Sequence, residues 1–197
     1  MAAVVLVDSG GANIGSVRYA LQRLGVDAPV THDAARIRSA SHVILPGVGT
    51  AAAGMARLRE TGLIDILRGL RQPLLGICLG MQLLYERSDE GAAQCLGLLG
   101  GSVRRLRPRA DVRVPHMGWN RLRVVRDDPL LEGVGPGEHV YFVHGYAPAV
   151  DSATLAECDH GGAFAAVVRR GNVCGMQFHP ERSGSVGARL LANFLES

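Results

Sequence analysis

A cysteine set between two glycines, Gly76-Ile77-Cys78-Leu79-Gly80, follows directly on the apolar run Pro73-Leu74-Leu75. A Gly-x-nucleophile-x-Gly stretch between a strand and a helix makes a strained turn that lifts one side chain into a cleft. The segment therefore predicts a strand over Leu74 to Ile77, then Cys78, then a helix through Met81-Gln82-Leu83-Leu84-Tyr85. The free N–H groups and positive end of that helix lie beside the sulfur, a setting that favours thiolate over thiol. Cys95, Cys158 and Cys174 lack this context and read as buried structural cysteines.

Around the turn, short apolar runs alternate with amphipathic stretches, the pattern of βαβ units on a parallel sheet. Val4 to Val7 and His42 to Leu45 are predicted strands. Ile14 to Leu24, the alanine-rich stretch after Gly49, and Leu63 to Leu70 are predicted helices. In the second half, Trp119 to Val125, His139 to Val143, Ala163 to Arg169 and Val173 to Phe178 read as strands separated by glycine, proline and aspartate turns, before a closing helix over Ser185 to Leu195. With 197 residues, 47% of them hydrophobic, there is material for one sizeable core. No linker or repeat marks a boundary, so the expectation is a single α/β domain over 1–197 with a mostly parallel central sheet flanked by helices.

The net charge of +3 arises from 21 basic and 18 acidic residues that are interspersed, which leaves no stripe for nucleic acid or an anionic membrane. The densest basic run, Arg104-Arg105-Leu106-Arg107-Pro108-Arg109, reads as a solvated hairpin or loop. Every basic residue is arginine. Without lysine there is no Walker A phosphate loop, no Schiff-base lysine and no lysine general base. The four cysteines form no Cys-x-x-Cys pair and no small-secreted-domain spacing, which points to a reduced, cytoplasmic setting. Met1 to Asp8 reads as a first buried strand rather than a leader, and no segment approaches the roughly 18 uninterrupted apolar residues of a membrane span.

Far downstream of Cys78, Phe178-His179-Pro180-Glu181 sets a base two positions from a carboxylate. Pro180 stiffens the link, and Glu181 can accept a hydrogen bond from the imidazole and fix its tautomer. A turn after a strand, with Glu181 capping the last helix, is the competing reading; pairing with Cys78 is what favours catalysis. His32, His42, His139 and His160 have no such companion. Pro46-Gly47-Val48-Gly49 can present successive backbone N–H groups to an oxyanion. Gly47-x-Gly49-x-x-Ala52, with Asp65 downstream, also formally matches a dinucleotide fingerprint, yet Asp65 sits inside a helical pattern rather than at a strand end. The oxyanion reading is preferred. The histidine and cysteine spacings match no zinc motif, and neither metal nor cofactor is expected.

With these residues in place, the chain resembles the class I (triad) glutamine amidotransferases and, among them, the glutaminase subunits of imidazole glycerol phosphate synthase. The resemblance is carried by Leu45-Pro46-Gly47-Val48-Gly49, Gly76 to Leu83, Pro115-His116-Met117-Gly118-Trp119-Asn120, Tyr141-Phe142-Val143-His144 and Gly175 to Glu181, in the family's order over nearly the whole length. It implies flavodoxin-like layers and a Cys78-His179-Glu181 triad acting on L-glutamine. Cys78 would form a γ-glutamyl thioester, His179 would protonate the departing ammonia and then activate water, and Glu181 would orient the imidazole. The resemblance also implies an oxyanion held by N–H groups of Leu79 and of the Gly47-Val48 region, and a glutamine pocket lined by Gln82. Trp119, Asn120, Tyr141, Arg182 and Asn13 would meet a (β/α)₈-barrel cyclase in a heterodimer. The ammonia would pass to that partner, which makes imidazole glycerol phosphate and an aminoimidazole carboxamide ribonucleotide. Two departures stand out: the first loop, Asp8 to Asn13, lacks the family's Gly-Asn pair, and Gly145 replaces a hydroxyl residue. Rival readings are a glutaminase serving another pathway, such as pyridoxal phosphate synthesis, and an interaction subunit with an inactive cleft.

Overall fold

The computed structural model describes residues 3–10 and 13–197; Met1, Ala2 and, in the first loop, Gly11 and Ala12 lie outside the described residues. The first half alternates as expected: β1 (Val4–Val7), α1 (Ile14–Arg23), β2 (Val30–Thr31), α2 (Ala34–Ser39), β3 (His42–Gly47), α3 (Ala51–Glu60), α4 (Ile64–Arg68), β4 (Leu74–Cys78) and α5 (Leu79–Leu83). Short strands β5 (Arg87–Ser88), β6 (Ala93–Gln94) and β7 (Ser102–Arg105) follow, then β8 (His116–Arg121), β9 (Arg123–Val124), β10 (His139–His144) and β11 (Tyr146–Pro148). The chain closes with β12 (Thr154–Asp159), β13 (Ala163–Arg170), β14 (Val173–Met176) and α6 (Gly184–Leu195).

The central sheet has the order β2-β1-β3-β4-β14-β13-β12-β9. Its first five strands run parallel and the last three extend it antiparallel. Val4, Leu6, Ile44, Leu75 and Ile77 face one core with α1 and α6, while Val5, Val7, Val43, Leu45 and Leu74 face a second core with α2, α3 and α4. Helices cover both faces, so β1, β4 and β3 after His42 are continuous apolar runs rather than alternating. Two smaller sheets stand apart from this one: an antiparallel ribbon of β8 and β10, and a four-stranded sheet β11-β7-β5-β6.

Three expectations need correction. The helix expected over Leu63 to Leu70 is shorter, α4 running only from Ile64 to Arg68, and a turn at Thr61-Gly62, with Gly62 at φ +66°, separates it from α3. Trp119 to Val125 is not one strand, because at the buried Leu122 the chain leaves the ribbon and joins the central sheet beside β12. The helix after Cys78 stops at Leu83, short of Tyr85. Strand register then sets the site. Gly47 at the end of β3 pairs with Cys78 at the end of β4, and Met176 of β14 pairs with Ile77, so the chain leaving β14 carries His179 toward Cys78. The carboxyl ends of adjacent parallel strands are where open α/β sheets bind ligands.

Candidate active site

Cys78 has φ 53° and ψ −111°, a conformation that costs roughly 1–3 kcal/mol for a residue with a side chain and is kept only where the surroundings enforce it. Close packing enforces it here. A Cβ on Gly80 would fall 1.7 Å from the Leu45 carbonyl oxygen, and one on Gly47 would fall 2.8 Å from the Gly80 nitrogen. Gly47 and Gly80 thus permit the close approach of β3 to the start of α5. The Cys78 sulfur borders a cleft of about 290 Å³.

His179 follows β14 in extended conformation and is tied to the ribbon: its N–H donates to the Tyr141 carbonyl (2.9 Å) and its own carbonyl accepts from the Ser183 hydroxyl (2.7 Å). Its Nδ1–H donates to Glu181 Oε1 at 2.8 Å. Asn13 donates to the same oxygen at 2.6 Å, while Glu181 Oε2 is buried with no hydrogen-bond partner among the described residues. Burial opposes charge on the ring, but the proximity of Cys78 and the hydrogen-bonded Glu181 carboxylate raise the His179 pKa to about 10. A ring with these partners holds its proton at neutral pH.

Val48, Leu79, Gln82 and His179 line the cleft with Cys78. The N–H of Leu79 opens α5 and is among those with no intrahelical acceptor. Behind the end of β3, the Ser9 hydroxyl donates to the Pro46 carbonyl. Gln82 is a buried wall residue rather than an exposed helix position: its Nε2 donates to the Tyr146 carbonyl (2.8 Å) and to Gln177 Oε1 (3.1 Å). Sequence reading missed three neighbours. Gln177 is fully buried with Nε2 3.9 Å from the Cys78 sulfur, and its place beside His179 was the available signal. His144 and Glu90 also line the cleft; nothing in the sequence singles out Glu90 from its neighbour Asp89. A volume near the lower end of the roughly 300–1,000 Å³ usual for small-molecule sites suits an amino acid better than a dinucleotide. Asp65 lies exposed on α4, away from any strand end.

The residues expected at a partner surface divide. Trp119 and Tyr141 are cross-strand neighbours on the outer face of the ribbon, in edge-to-face contact at 5.8 Å, and the Arg182 guanidinium sits 4.4 Å from the Tyr141 ring centre. Trp119 is 57% exposed and Met117 64%. Asn120 points to the opposite face, where it donates to the Asp159 carbonyl (2.8 Å), and Asn13 is engaged with Glu181. Among the described residues, no three His, Cys, Asp or Glu side chains converge as a metal site, and no helix is long and apolar enough to cross a membrane.

Residues 5–197 match the family described as Glutamine amidotransferase class-I. The Imidazole glycerol phosphate synthase subunit HisH of Xanthomonas euvesicatoria pv. vesicatoria is 60% identical over 196 residues, covering 100% of this chain and 98% of that protein. The protein of the same name from Xylella fastidiosa strain Temecula1 is 59% identical over the same shares. Among solved structures, a glutamine amidotransferase crystal structure aligns with a TM-score of 0.75 at 26% identity, covering 98% of this chain and 97% of that one. A putative GMP synthase protein from Thermoplasma acidophilum aligns at 0.76 over 100% and 94%, and at 19% identity it shares the fold.

Proposed function

This chain belongs to the class-I glutamine amidotransferase family, and we propose that it is the glutaminase subunit of an imidazole glycerol phosphate synthase, forming one amidotransferase domain that delivers ammonia to a (β/α)₈-barrel cyclase in histidine biosynthesis. The observation that carries the reading is the strained Cys78 at the mouth of an amino-acid-sized cleft, with His179 held against it by Glu181.

In the proposed reaction the Cys78 thiolate attacks the side-chain carbonyl carbon of L-glutamine, and the oxyanion is met by N–H groups of Leu79 and the Gly47-Val48 segment. The His179 imidazolium gives its proton to the departing nitrogen, ammonia leaves, and Cys78 is left as a thioester. At that point the thiolate that helped hold the proton on His179 is gone, so the ring becomes a base fit to activate water. Hydrolysis releases glutamate and restores the starting pair. Glu181 keeps Nδ1 protonated and Nε2 directed at the chemistry throughout, with Asn13 supporting the carboxylate. Glu90, the acidic residue in the cleft lining, is suited to the substrate's α-ammonium group.

The partner surface follows from the ribbon. Trp119, Met117, Tyr141 and Arg182 form an exposed aromatic, apolar and cationic patch of the kind that anchors interfaces. The bond from His179 N–H to the Tyr141 carbonyl connects that patch to the triad. Four buried free cysteines suit a reducing, cytoplasmic compartment. The test is glutamate release by the purified chain with and without the cyclase. Release that depends on Cys78 and rises when the liganded cyclase is added supports the proposal; no release under either condition refutes it.

A further inference from the structure

We propose that Asn120, His116 and His144 form a one-way hydrogen-bond relay from the ribbon to the glutamine cleft, in which His116 is the positioning residue that sets the tautomer of His144. The proposal rests on the glutaminase reading for its kinetic consequence but not for its structural one. His116 and His144 are direct cross-strand partners in the β8–β10 ribbon, on the face opposite Trp119. Both are buried, and no step of the reaction above uses either.

The direction of the relay follows from its two ends. His144 Nδ1 lies 2.9 Å from the Tyr146 carbonyl, which can only accept, so Nδ1 carries the hydrogen. A neutral His144 then has a bare Nε2, and its neighbour at 3.0 Å is His116 Nδ1, which must donate. That leaves His116 Nε2 bare, and Asn120 Nδ2 donates to it at 3.3 Å. The Asn120 amide is fixed the right way round, because the same Nδ2 donates to the Asp159 carbonyl and Oδ1 accepts from the Arg121 N–H. Turning the amide over would set oxygen against oxygen at Asp159. Every hydrogen therefore points from β8 toward the cleft.

Both rings have surroundings that keep them neutral. Burial, with repulsion from the His144 and His160 rings, lowers the His116 pKa to about 3. Burial, against the pull of the Tyr146 carbonyl and with His160 and His179 nearby, lowers that of His144 to about 4. His116 stacks on Phe142 (4.7 Å) and on His160 (4.0 Å), whose own Nε2 donates to the Arg113 carbonyl. At the far end, the Tyr146 carbonyl also accepts from Gln82, and His144, Tyr146, Gln82 and Cys78 line one cleft. Loss of the His116 donor leaves His144 Nε2 a buried acceptor without a partner and the ring held only through Nδ1, which loosens the wall against which glutamine is held.

The experiment has two arms. Long-range ¹⁵N NMR of the imidazoles in the full chain at pH 7 should show His116 and His144 both neutral with the hydrogen on Nδ1; an Nε2–H form or a charged ring at either position overturns the relay. In the complex with the cyclase, His116→Leu should raise KM for glutamine about tenfold with kcat changed less than about twofold, the size expected for one unsatisfied buried acceptor. His116→Asn retains a donor near the Nδ1 position and should recover most of that loss. A His116→Leu enzyme with unchanged KM, or equal defects in the Leu and Asn variants, refutes the positioning role. Absence of glutaminase activity in the wild type counts instead against the glutaminase reading, and the NMR arm still decides the relay.

Discussion

Replacing Glu181 by glutamine separates the charge of the carboxylate from its geometry. The Glu181 side chain is 1% exposed, and among the described residues only Oε1 is used, accepting from His179 Nδ1 and Asn13 Nδ2. A glutamine amide can keep its oxygen there, because Asn13 offers a donor that rejects an NH₂ group, and the new NH₂ falls where Oε2 has no partner among the described residues. The correct His179 tautomer is thus retained and only the charge is lost. The difference between a charged and a neutral hydrogen bond is about 1–2 kcal/mol, which at 1.36 kcal/mol per tenfold lowers kcat by roughly 5- to 30-fold. The His179 pKa should fall below its value of about 10, because one of the two groups that favour the charged ring against burial has lost its charge. The assay is steady-state glutamate release in the cyclase complex, with the ring titrated by NMR. A loss near 10⁴-fold, the size seen when a triad histidine is held in the wrong tautomer, would refute the geometric argument. An unchanged kcat would refute a role for the charge.

The buried histidines give stability two opposite dependences on pH. His116 and His144 stay neutral in the fold down to about 3 and 4 against an ordinary 6.5, so below pH 6.5 the unfolded chain takes up protons first. Stability should therefore drop by up to about 1.4 kcal/mol per pH unit per histidine as pH falls from 6.5 toward 4; urea unfolding at pH 7, 6 and 5 measures it, and a flat profile contradicts it. His179 has the opposite sign: its contribution is fully present below pH 6.5 and is lost as pH rises through about 10, so His179→Gln should flatten the alkaline decline in Tm. Trp119→Ala, at an exposed position, should change folding stability by no more than about 0.5 kcal/mol. The same substitution should weaken cyclase binding about tenfold or more in titration calorimetry while leaving ammonium-dependent synthesis by the cyclase intact.

What could be read from sequence was local. The elbow at Cys78 and the pair His179-Glu181 each lie within a few residues, and the parallel strands that deliver them are continuous apolar runs between helices. The features that escaped depend on register or on distant encounters. The pairing of His116 with His144 needs the alignment of two strands 28 positions apart, and the bond from Asn13 to Glu181 joins residues 168 apart. Leu122 stands three positions after Trp119, out of step with a period of two, and that change of face coincides with the passage from ribbon to central sheet. Strand β12, buried at five successive positions from Thr154 to Cys158, offered no alternation to read.

The account turns on Cys78 being the residue that carries the glutamyl group. Burial pushes the thiols of Cys95 and Cys174 up to about 11 and that of Cys158 up to about 12, so none of them is activated near neutral pH. Rapid acid quench of the cyclase complex turning over glutamine, followed by peptide mass spectrometry, reads the acyl group directly. The expected result is a γ-glutamyl thioester on the Cys78 peptide alone, absent from Cys78→Ala. A glutamyl adduct spread over all four cysteines, or glutamate release that persists in Cys78→Ala, would contradict it.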